Sequence, residues 1–237
     1  MTLLSTQGLS KQYSGLQAVN NVDFSLNAGE IRALIGPNGA GKSTFVGMLC
    51  GRIESTAGTV TFDGQNITGL PAHKRIELGM AYTFQITSVF LKLSVMENVS
   101  LAVRRLPDSS KALTRERVAR ALDRVNLLDR ASTLAGDLSY GHQRLLEIAM
   151  GLGQEPRLFI LDEPTQGLAE SEIESFKALI KSMAGETTIL LIEHNMDVVM
   201  ETAERITVLN FGEVLAEGSP TEIRTNNTVQ AAYLGTD

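Results

Sequence analysis

The run "IRALIGPNGAGKSTF", residues 31–45, constrains this chain more than any other. A compact, mostly apolar strand pattern ends in a glycine-rich loop, and a helical pattern starts near Gly41 and runs to about Cys50. That junction is the setting in which G-x-x-x-x-G-K-[ST] cradles phosphates. Gly36, Pro37, Asn38, Gly39, Ala40, Gly41, Lys42, Ser43 and Thr44 fill the pattern completely. Glycines let the loop turn its N–H groups inward, where side chains would obstruct them. Lys42 has the reach for β- and γ-phosphates, and Ser43 supplies a hydroxyl suited to Mg2+.

Further along, "LFILDE" carries apolar residues up to Asp162 and Glu163. A strand read this way delivers Asp162 to the sheet's C-terminal edge, where it can hold Mg2+. Glu163, one position further out, can polarise a water aimed at a γ-phosphate. His194 closes "TTILLIEH", again at a strand's C-terminal end, where ligands of α/β sheets bind. Gln85 ends "MAYTFQ"; its amide suits Mg2+ or a water, though on chemistry alone a structural role fits equally well.

A second helix start, "GDLSYGHQRLLEIAMGL", also looks built for an anion. Ser139 is a good N-cap, and Leu145, Leu146, Ile148, Ala149 and Leu152 follow at helical spacing. Free N–H groups and the positive end of the dipole favour negative charge there.

Strand patterns at 2–12, 16–27, 58–64, 80–85, 157–163 and 187–194 alternate with helical ones at 71–78, 170–183 and 196–203. A hairpin-like segment, 205–218, precedes a short final helix. From about 86 to 155 strand signals vanish and helical patterns take over, at 94–104, 112–128 and 140–153. The expected fold is α/β: a phosphate-loop NTPase core with a mostly parallel sheet, an N-terminal antiparallel β subdomain and an inserted α-helical subdomain. The core lobe is expected over about 1–85 and 156–237, with the helical lobe over about 86–155.

Composition narrows the partners. A formal charge of −6, no Trp and only four Tyr argue against a nucleic-acid binder, which needs a basic face and stacking platforms. The single cysteine, Cys50, has no intrachain partner and reads as a core thiol. No apolar run approaches the length of a membrane span or a signal peptide's core, so any membrane link is expected to go through a partner.

Taken in order, "GPNGAGKST", Gln85, "LSYGHQ", "LFILDEP", "GLAE" and His194 resemble the nucleotide-binding subunit of an ATP-binding cassette (ABC) transporter along essentially the whole chain. In that family these are the P-loop, Q-loop, signature, magnesium-binding strand, D-loop and switch histidine. Tyr13 matches the aromatic residue that stacks on adenine; a half-exposed strand tyrosine is the alternative. The resemblance implies a head-to-tail dimer of this chain, or of this chain with a related ATPase. Ser139, Tyr140, Gly141 and His142 would then face the ATP held by the other subunit. The commonest signature is L-S-G-G-Q, so Tyr140 and His142 depart from it, and "TQGLAE" lacks the usual aspartate after leucine.

Within the family, "AYTFQI", "LLIEHNMDVVM", "ITVLNFGEVLAEGSP" and "VQAAYLG" look like ATPases of branched-chain amino acid importers, with urea or amide importers close by. That likeness implies two transmembrane permease subunits, an extracytoplasmic solute-binding protein, and a place on the cytoplasmic face of the inner membrane. The run "ITSVFLKLSV", containing Phe90, fits the groove for a partner's coupling helix and the interior of the lobe equally well. Non-transport ABC ATPases, in DNA repair or on ribosomes, remain the alternative class. They are disfavoured by the acidic charge, the single P-loop and the lack of a heptad array.

Overall fold

The computed structural model describes all residues except 84–87, 105–109 and 235–237. The described chain divides into two compact units, Met1–Leu78 with Ala184–Asp237, and Gly79–Met183.

In the first unit, β1 (Thr2–Tyr13) and β2 (Leu16–Asn27) form an antiparallel hairpin. Its two-residue turn has Ser14 at φ 38° and Gly15 at φ 98°, the positive values a tight hairpin needs. Leu4, Leu9, Val19, Val22 and Leu26 are buried along the two strands and supply their core side chains. β3 (Ile31–Ile35) is buried at every position and leads into the glycine-rich loop and α1 (Lys42–Leu49). β4 (Ala57–Phe62) pairs with the other side of β1, and short β5 (Gln65–Asn66) extends that antiparallel sheet. α2 spans Ala72–Glu77.

The second unit holds the parallel pair β6 (Met80–Tyr82) and β7 (Leu158–Asp162). Its helices are α3 (Val95–Val103), α4 (Lys111–Arg124), α5 (Tyr140–Leu152) and α6 (Glu170–Ser182). It is therefore wider than a helical segment over 86–155, because β6, β7 and α6 belong to it. α4 stops short of the expected 128: Val125 leaves helical geometry, and Asn126 sits at φ 56°.

Back in the first unit, β8 (Thr188–Ile192) runs parallel to β3, which is flanked on its other side by parallel β9 (Arg205–Asn210). β10 (Glu213–Gly218) closes that edge antiparallel to β9. α7 (Met196–Thr202), α8 (Pro220–Arg224) and α9 (Asn227–Leu234) complete the unit. Full burial of β3, β7 and β8 is what strands covered on both faces require. Their ladders and the antiparallel N-terminal sheet make the α/β class expected from sequence. Cys50 is buried at the end of α1, as a core thiol should be.

Candidate functional site

The glycine-rich loop is held from several directions within the first unit. Ala40 N–H donates to the Pro37 carbonyl, and Phe45 N–H to that of Gly41. Gly212, in the turn between β9 and β10, donates its N–H to Ala40 and accepts from Asn20 N–H. Gly41 has φ 96°, and a Cβ built there would overlap the Ala18 carbonyl, so the last turn before α1 admits only glycine. Gly39 looks onto open space, whereas a Cβ on Gly36 would overlap the Leu209 carbonyl.

Lys42 folds back over the loop. Its buried ammonium donates to the Gly36 carbonyl at 2.6 Å and to that of Pro37 at 3.0 Å. Asn38, Gly39 and Ser43 are exposed along the same loop, with Pro37 and Thr44 partly so. The arrangement is a concave backbone with a cation at its mouth, which fits a phosphate chain.

Register places His194 on the same edge. Leu34 of β3 stands opposite Ile192 of β8, so Gly36 and His194 both lie two positions beyond that pair. His194 is exposed, and its N–H donates to the buried carboxylate of Glu193, which also accepts from Asn195 N–H. Glu193 thus fixes the backbone that carries the imidazole. Tyr13 ends β1 half-exposed, with the Lys11 ammonium 5.0 Å from its ring centroid.

In the second unit, β7 brings Asp162 to its C-terminal end, where the carboxylate accepts from the Tyr82 hydroxyl at 2.6 Å. Asp162 N–H donates to Thr83 Oγ1. Glu163 follows at φ 48°, a left-handed conformation uncommon for a residue with a side chain. Gln85 lies outside the described residues.

Ser139 caps α5: its hydroxyl accepts from His142 N–H, and its Oγ lies 2.7 Å from His142 Nδ1. Tyr140 is exposed and His142 partly so. Gly141 is buried, and a Cβ there would overlap the Glu172 carboxylate at the start of α6. Among the described residues no cluster of three or more His, Cys, Asp or Glu is placed to hold a metal. Ser43 in the first unit and Asp162 in the second each carry an oxygen of the kind Mg2+ accepts.

Tyr82 and Arg144 are the contacts that sequence reasoning missed. Tyr82 was legible only as one aromatic residue in a strand pattern, and Arg144 only as a polar position on an amphipathic helix.

A family model described as "ABC transporter" matches residues 19–166, which takes in the loop, Asp162 and Glu163. The chain belongs to the ABC transporter ATP-binding family. A second model, for branched-chain amino acid ATP-binding cassette transporters, matches residues 213–237 of this cassette. The high-affinity branched-chain amino acid transport ATP-binding protein BraF of Pseudomonas aeruginosa is 39% identical, covering 98% of each chain. LivG of Escherichia coli K12, of the same description, is 40% identical over the same shares. Among solved structures, the ADP conformation of MJ1267, an ATP-binding cassette of an ABC transporter, aligns with TM-score 0.89 at 26% identity over the full length of both chains. MJ0796, a cassette solved as a dimer after hydrolysis with ADP and Pi, aligns with TM-score 0.81 at 26% identity, covering 92% of this chain and 99% of that one. The cassette therefore binds nucleotide as an ABC ATPase, and no described helix is long and apolar enough to cross a membrane.

Proposed function

We propose that this cassette hydrolyses ATP to power an importer of branched-chain amino acids, working as a head-to-tail dimer with itself or a related ATPase. The observation that carries the reading is the tail: residues 213–237 match the branched-chain amino acid cassette model, beyond the motifs that all ABC ATPases share.

In this reading Gly36 through Thr44 wrap the phosphates, Lys42 neutralises the β- and γ-oxygens, and Tyr13 stacks on the base. Ser43, Asp162 and Gln85 would hold Mg2+, which supplies neutralisation of the developing phosphate charge. Glu163 accepts a proton from the attacking water, and His194 donates to the γ-phosphate. Ser139, Gly141 and backbone beside Tyr140 and His142 grip the γ-phosphate of the mate's ATP, using helix-start N–H groups. Triphosphate closes the dimer and its hydrolysis lets it open. The core lobe, 1–85 and 156–237, carries nucleotide. The helical lobe, 86–155, transmits its state to two permease subunits on the cytoplasmic face of the inner membrane, which a solute-binding protein supplies.

The test is Glu163→Gln. It retains ATP affinity, nearly stops turnover and leaves an ATP-locked dimer visible by light scattering. In membrane vesicles carrying the assembled transporter, ATP-driven uptake of labelled leucine falls with it. Near-normal hydrolysis removes Glu163 as base, and urea uptake in place of leucine uptake removes the amino acid assignment.

A further inference from the structure

The guanidinium of Arg144 is 1% exposed and sits under the backbone that carries the general base. Its Nη2 donates to the carbonyls of Asp162 and Glu163, each at 2.9 Å, and its Nε points at that of Pro164 at 3.4 Å. Nη1 donates to Glu147 Oε2 at 2.7 Å, one turn further along α5, and Glu147 is itself buried. Three consecutive carbonyls therefore converge on one fork. They do so across Glu163, whose left-handed backbone costs about 1–2 kcal/mol when nothing holds it. Charge-assisted bonds of the fork type exceed that cost, and their planar geometry fixes direction as well as distance.

We propose that Arg144 is a positioning residue for hydrolysis: by clasping the Asp162 and Glu163 carbonyls it holds the Glu163 carboxylate in register and ties it to the signature helix. The inference rests on Glu163 being the base. It goes beyond that reading in assigning Arg144, five residues beyond Ser139 on the same helix, as the part that makes the signature and the base one rigid piece. A helix that grips the mate's ATP then reports directly on the backbone serving its own. Glu147 is the counter-charge that keeps the fork aimed.

Arg144→Lys tests this, because an ammonium keeps the charge but not the fork. The expected result is a fall in kcat of about a hundredfold, the scale of a misplacement near 1 Å, with KM for ATP within about twofold. In the nucleotide-free chain, amide exchange at Gln166 should quicken, since its turn bond goes to the same Glu163 carbonyl that the fork holds. In a Glu163→Gln background the same change should cost nothing further, since residues acting as a unit are not additive. Where the lysine variant does not fold, Arg144→Met with Glu147→Leu removes both charges together and is expected to give the same kcat loss at unchanged KM. Wild-type kcat in the folded variant, or a loss that multiplies with that of Glu163→Gln, overturns the assignment. If Glu163→Gln alone hydrolyses normally, it is the base reading that fails, and the exchange measurement still reports on the clasp.

Discussion

Replacing Arg75 by methionine removes the brace at the far end of the helix that begins at Lys42. The side chain is 2% exposed and donates to four carbonyls: Leu70 at 2.9 Å, Met48 at 2.8 Å, Leu49 at 2.7 Å and Thr68 at 2.9 Å. Two of these belong to the last turn of α1, whose carbonyls have no partner within the helix. Burial pulls the guanidinium below its ordinary value, with the nearby Cys50 opposing, so the group is held at a desolvation cost. Each charge-assisted bond is worth about 1.5–3 kcal/mol net, and removing the charge returns several kcal/mol of desolvation. The balance is a loss of about 3–5 kcal/mol, or a melting temperature lower by ~10 °C for a chain of this length. With no Trp present, urea unfolding is best followed by circular dichroism and tyrosine fluorescence. Arg75→Lys, which reaches fewer carbonyls, should lose about half as much. A loss under about 1 kcal/mol for the methionine variant would refute the idea that these four bonds anchor α1.

Lys42→Ala should weaken ATP binding by about three orders of magnitude, the worth of two charge-assisted phosphate contacts, and unchanged affinity by calorimetry would dismiss the loop as the cradle. Phe90 is 54% exposed, presented by a loop that buried Asn98 clasps through Phe90 N–H and the carbonyls of Phe90, Leu93 and Ser94. Phe90→Asp should therefore spare ATP binding and uncouple hydrolysis from transport; intact uptake would rule out that surface as the permease contact. The Tyr233 hydroxyl is raised to about 12, chiefly by burial, with a Gly36 N–H acting the other way. Because the folded value lies above the unfolded one, near 10, its contribution is complete below that pH and is lost as pH climbs towards 12. Phenolate absorbance should show a late-ionising tyrosine that Tyr233→Phe abolishes.

The loop at 36–44, the apolar strands and the Ser139 cap were readable because each depends on residue type at fixed spacing. In the loop, glycine stands at each position of positive φ (Gly36, Gly39 and Gly41), and an apolar run marks a strand covered on both faces. Phe90 and Leu91 are exposed while Val95 of the same run is buried, a split that composition could not show, since an apolar side chain reads the same whether it faces solvent or core. Arg75 and Arg144 were invisible for a different reason. Their partners are backbone carbonyls, which every residue carries, so no side-chain pattern announces them. Tyr82 likewise meets Asp162 only because β6 and β7 pair in parallel, a register set by the fold.

The turn at Phe211–Gly212 ties a late part of the chain to the glycine-rich loop. Gly212 is bonded to the phosphate loop, and the very next residue begins the stretch that carries the subfamily's hallmark. The stretch beyond this turn meets the same loop a second time through Tyr233, whose hydroxyl lies against Gly36 N–H. A substitution near Gly212 or at Tyr233 can therefore shift the loop's backbone without altering any residue of 36–44.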